Sequence, residues 1–139
     1  WMAKSAVKSG LCKRALVQLS YAIGVAKPLS LFVETYGTEQ GNLTPESITS
    51  IIKLNFDARP GALARDLQLC QPKYNVTAAY CHFGREPYTE KKGKETLTFF
   101  AWEDAKDLSK YAKMTGAAIE KEINSKKSEI LAKWVDLHL

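Results

Sequence analysis

Thiols, an imidazole, clustered cations and paired charges are the groups in this 139-residue chain that could do chemistry. The thiols are Cys12, Cys70 and Cys81, and His82 follows the last of them. A histidine acting as general base needs a proton within reach and a partner to orient it, and the sequence supplies neither. Cys81 and His82 together give two adjacent metal-type ligands, whereas a zinc site wants four or an organised three. His82 is therefore read as structural, its nitrogens satisfied by backbone groups. Asp57 and Arg59 bracket a helix junction and are read as fixing it through hydrogen bonds. Arg85 and Glu86 are read as an ion pair or interface feature rather than an acid/base couple. Lys4, Lys8, Lys13 and Arg14 could steer a phosphate-bearing anion toward a neighbouring site, but a solvated helix face is the simpler reading. No GxGxxG or GxxxxGK[ST] phosphate loop and no cluster of metal-ligand carboxylates occurs.

The bulk composition narrows the class. Length fits one domain, and 45% hydrophobic residues with 10% aromatics suffice for a core. Three widely spaced cysteines without a CxxC pair argue against a disulfide framework and for reduced thiols in the cytoplasm. The sequons at Asn42 and Asn75 are then chance matches. No apolar run reaches the roughly 20 residues of a membrane span. No leader with an apolar h-region is visible, and an opening Trp1 reads as a fragment or processed product. Net charge is +5, with nine bases against five acids over residues 1–84 and eleven against ten over 85–139. That asymmetry lacks the interleaved aromatics of a nucleic-acid surface, so neither nucleic acid nor membrane is expected as a partner.

Periodicity places the elements. Ala3, Ala6, Val7, Gly10 and Leu11 form one helical face over residues 2–12. Val17, Leu19, Tyr21 and Ile23 alternate with smaller or polar residues, as do Leu29, Leu31 and Val33. A turn over residues 24–28 should join the two strands as a hairpin. Thr44-Pro45-Glu46 is a helix start with Ile48, Ile51, Ile52 and Phe56 inward, ending by Arg59 because Pro60 follows. Pro60 opens a short helix bearing Leu63, Ala64 and Leu67. Residues 86–95 read as a charged loop, Thr96–Phe100 as a short strand, and 104–114 and 117–137 as helices. The terminal helix, with Ile119, Ile123, Ile130, Trp134 and Leu137 near one face, is expected to dock on its own domain, with partner binding as the alternative. The expected fold is α+β: a hairpin-containing sheet with helices packed on one face.

A longer resemblance adds what these elements do not. Ala3-Lys4-Ser5, Gly10-Leu11-Cys12-Lys13-Arg14 and Leu16-Val17-Gln18-Leu19-Ser20-Tyr21-Ala22-Ile23-Gly24-Val25 resemble the S-adenosylmethionine synthetase family. So do Pro28-Leu29-Ser30, Tyr36-Gly37-Thr38, Asn55-Phe56-Asp57, Arg59-Pro60-Gly61, Arg65-Asp66-Leu67 and Thr77-Ala78-Ala79-Tyr80-Cys81-His82-Phe83-Gly84-Arg85. The resemblance runs from residue 1 to 85 and resumes at Trp102-Glu103. Residues 86–114 are then a loop insertion and a family-like tail, and 115–139 a helical extension. Family members usually carry glycine where Cys81 stands, a change expected to keep local packing.

The resemblance implies the C-terminal part of a methionine adenosyltransferase with three intertwined domains, working as a homodimer or dimer of dimers on ATP and L-methionine. It implies Mg²⁺ and K⁺ in the complete enzyme. The family's lysine-bearing glycine-rich loop, Gly-His-Pro segment and acidic glycine-rich loop have no counterpart in this chain, so neither catalytic lysines nor metal ligands are expected within it. Carried over onto this sequence, Ile23 lines the adenine pocket, where packing beneath its turn is the plainer alternative. A non-catalytic module that associates with a complete synthetase is the competing function.

Overall fold

The computed structural model describes residues 1–135. Helix α1 (Met2–Lys8) is followed by strands β1 (Leu16–Ser20) and β2 (Ser30–Glu34), paired antiparallel with Val17 opposite Val33 and Leu19 opposite Leu31. Helix α1 stops four residues short of the expected end. The Gly10 amide donates to Val7 and the Leu11 amide to Ala6, a glycine-terminated cap that needs the Gly10 φ of +74°. Leu11, meant for the helix face, is still fully buried, because the cap folds it back beneath the helix.

Helix α2 (Pro45–Asn55) begins where its sequence requires. The Thr44 hydroxyl accepts from the Ser47 amide at 3.2 Å, and the Ser47 hydroxyl accepts from the Thr44 amide at 2.9 Å. That reciprocal box satisfies two donors that a helix start otherwise leaves open. Ile48, Ile51, Ile52 and Phe56 are wholly buried. Helix α3 (Pro60–Asp66) follows the extended Arg59, the geometry a residue before proline prefers. Between them the Arg59 guanidinium and backbone amide both bind Asp57, so the expected junction role of this pair holds.

Helix α4 (Tyr74–Ala78) leads to the main departure from expectation. Residues 86–95 are not a loop: β3 (Tyr88–Lys92) pairs with β4 (Glu95–Phe99) as a second two-stranded sheet. Strand β3 is exposed throughout and so shows no apolar alternation. Its register comes from Gly93, whose φ of +67° closes the tight turn, and from Tyr88 stacked on Phe99 at 4.8 Å. Leu97, Phe99 and Phe100 bury beside Trp102 as a small separate core. Gln71 serves as a partner for the β4 backbone, donating to Thr96 and accepting from the Thr98 amide. The fold is thus α+β, with a helix-covered hairpin as expected and a second hairpin that was not.

After a 3₁₀ turn (Ala101–Glu103) come α5 (Ser109–Ala112), α6 (Gly116–Ser125) and α7 (Lys127–Lys133). The single helix expected over 117–137 is two, broken at Lys126, and most of the helix expected over 104–114 is irregular. Leu137 lies outside the described residues. Ile119, Ile130 and Trp134 bury against α2 in the main core, with Ile123 partly covered, so this segment docks on its own domain. No helix among the described residues is long and apolar enough to cross a membrane.

Trp134 is nearly inaccessible, and its indole N–H donates to the Lys53 carbonyl at 3.0 Å. Trp134→Ala should cost about 3–5 kcal/mol through the cavity it leaves, measured by urea unfolding. A loss below about 1 kcal/mol would mean that the terminal segment contributes little to the core.

Candidate functional site

The connection between β1 and β2 is longer than the turn expected. Pairing ends at Ser20 and Ser30, and the Leu29 amide donates to the Ser20 carbonyl at 2.8 Å. Residues 21–29 project beyond the sheet as a loop. At its apex the Val25 amide donates to the Ala22 carbonyl at 3.1 Å, and Gly24 has a φ of +80°. This is a turn with a left-handed third residue, which glycine adopts without penalty. Ile23 occupies the position before it and is fully exposed, at 106% of its reference area. It does not pack beneath the turn. Val25 beside it and Tyr21 at the loop's root are half exposed. The Tyr21 hydroxyl donates to the Ala58 carbonyl at 2.6 Å, and its partial burial raises the phenol pKa. The loop therefore presents a branched apolar side chain to whatever faces it, on a strand end tied to the α2–α3 junction.

The cations are distributed differently from expectation. Lys4 is not on a solvated face: its ammonium pairs with the carboxylate of Glu103, which is only 4% exposed and also accepts the Gly84 amide at 2.8 Å. Glu103 thereby ties α1 to the segment carrying His82. Arg14 stacks over Tyr36 at 4.5 Å. Lys8 and Lys13 remain exposed.

Arg85 is engaged with a backbone carbonyl and an aromatic ring. Its guanidinium donates to the Ala79 carbonyl at 2.6 Å, just past the end of α4, and lies 4.3 Å over Phe100. His82 Nδ1 lies 3.0 Å from the Thr77 hydroxyl, and the His82 carbonyl accepts the Trp102 indole N–H at 2.7 Å. The role is structural as expected, but the ring partner is a side chain rather than backbone. Lys73 is buried to 1% exposure and donates to the Leu67 and Thr98 carbonyls, both at 2.9 Å, clamping α3 to β4. Burial lowers its pKa. Only its covering neighbours distinguish it from a surface lysine, so periodicity could not have singled it out.

Hydrogen bonds from Arg59 hold the Asp57 carboxyl below its usual range. Burial, reinforced by Glu39, raises the Cys12 thiol, which makes it a poor nucleophile. Among the described residues no three His, Cys, Asp or Glu side chains gather as a metal site.

A family model described as the S-adenosylmethionine synthetase, C-terminal domain, matches residues 1–93. The chain belongs to that family. The match takes in α1, the β1–β2 hairpin with its Ile23 loop, α2 to α4 and strand β3, and it ends in the turn before β4.

Membership gives Cys81 a physical meaning. Its φ is +136° and that of the preceding Tyr80 is +67°, both in the region favouring glycine. Cys81 is exposed, so a glycine would be favoured at this position for its backbone conformation and not for packing. Cys81→Gly should raise stability by about 1 kcal/mol, part of the roughly 1–3 kcal/mol such a strained residue costs, measured by urea denaturation. Unchanged or lower stability would show that the backbone there carries no strain.

Proposed function

We propose that this chain is the C-terminal part of a methionine adenosyltransferase and supplies one apolar wall of its adenine site. In that reaction the methionine sulfur attacks C5′ of ATP. The C5′–O bond breaks, and the tripolyphosphate that leaves is hydrolysed to phosphate and diphosphate. The departing polyanion needs cations close by. Four of the cations described above are engaged otherwise, Lys4 with Glu103, Lys73 with two carbonyls, Arg59 with Asp57 and Arg85 with a helix end, while Lys8 and Lys13 lie exposed outside any phosphate-loop motif. The catalytic lysines and the Mg²⁺ and K⁺ ligands are accordingly assigned to other parts of the synthetase.

The observation carrying this reading is Ile23, fully exposed at the apex of a loop inside the family-matched residues. An isoleucine with no intramolecular contact to satisfy suits the face of a flat base contributed from across a subunit or domain boundary. Phe32, Leu16 and Leu29, all at least 40% exposed on the same hairpin, suit further coverage by the rest of an intertwined homodimer or dimer of dimers. Three free thiols, two of them exposed, suit a cytoplasmic enzyme.

In the complete synthetase, Ile23→Asp should raise the KM for ATP about tenfold or more with a smaller change in kcat, because a charge replaces an apolar base contact. An unchanged ATP KM would contradict the adenine assignment. The isolated chain should form no S-adenosylmethionine from ATP and L-methionine in an assay with Mg²⁺ and K⁺. Turnover by the chain alone would overturn the division of labour.

A further inference from the structure

We infer that the segment carrying α7, beyond the family-matched residues, is a positioning element for the Ile23 loop. This rests on the adenine reading above. Two hydrogen bonds cross from one to the other. The Lys27 ammonium donates to the Leu131 carbonyl at 2.9 Å, and the Val135 amide donates to the Pro28 carbonyl at 3.2 Å. Leu131 lies in the last turn of α7, where carbonyls lack helical partners and a cation is favourable. Trp134, buried between these two contacts in sequence, anchors the segment on α2. The loop is thus tied to a residue pair that the rigid core holds in place.

The other ties do not suffice to fix the loop's far side. Tyr21 fastens its first residue to Ala58, and Leu29 fastens its last to Ser20. Between them, a cavity of about 430 Å³ separates Ala26 from Arg59, Pro60, Ala62 and Arg65. With open space on that side, Lys27 and Pro28 are where the second half of the loop meets packed structure. Lys27 and Val135 are positioning residues: they touch no substrate and act through Ile23.

The test uses Lys27→Met, which keeps the stem and removes the donor, combined with Val135→Pro, which removes the amide. Trp134, the residue before it, has the extended geometry that a proline favours in its predecessor. In the chain itself, hydrogen exchange at the Val25 and Leu29 amides should accelerate about tenfold while the α2 amides keep their protection. In the complete synthetase, the double variant should raise the KM for ATP several-fold with kcat nearly unchanged, and Lys27→Arg should behave as wild type. Unaltered loop exchange would overturn the inference. So would faster exchange with an unchanged ATP KM, provided that Ile23→Asp does raise it. If Ile23→Asp has no effect either, the adenine reading fails and takes the nucleotide role of the loop with it, whereas the exchange result still decides whether α7 holds the loop.

Discussion

Helix α2 is buried from two sides, and the rest of the domain is arranged around that constraint. Ile48, Ile51 and Ile52 are inaccessible, and Leu54 and the Lys53 stem are nearly so. A helix covered this fully cannot rely on the β1–β2 hairpin alone, which offers only Leu31 and Val33 as buried residues. Further cover comes from Met2 and Ala6 of α1 and, late in the chain, from Ile119, Ile130 and Trp134. Full burial of each such side chain is worth roughly 1.5–3 kcal/mol, so both coverings matter to a fold of this size. The hairpin and the terminal helices are therefore held in register by one shared surface.

The second hairpin is joined to this core by polar contacts instead. Lys73 reaches two carbonyls, Gln71 pairs with the β4 backbone, and buried Glu103 binds Lys4 and the Gly84 amide. A carboxylate so enclosed is tolerable only because a cation and an amide face it. The Trp102-Glu103 pair has a concrete task at this joint. Trp102 holds the His82 carbonyl and Glu103 the next turn of the same segment.

Legibility followed the range of the interactions. The start of α2 was readable because Thr44, Pro45 and Ser47 act within one turn, and the α2–α3 junction because Asp57 and Arg59 are two residues apart. Strand β3 was not, since a strand exposed on both faces leaves no period and depends on Gly93 and a partner that follows it. The split between α6 and α7 was likewise hidden in a continuous apolar series. For the site, Ile23 was placed only by resemblance, while the anchors of its loop at Ala58 and Leu131 lie 37 and 104 residues from their partners. The conformation of Cys81 was equally silent until the backbone showed why glycine is favoured there.

The most direct measurement is photolabelling of the complete synthetase with azido-ATP, followed by peptide mapping of the adducts. If residues 21–29 form a wall of the adenine site, the peptide containing Ile23 carries label, and unlabelled ATP removes it. Labelling confined to peptides outside that loop, equally sensitive to competition, would contradict the claim.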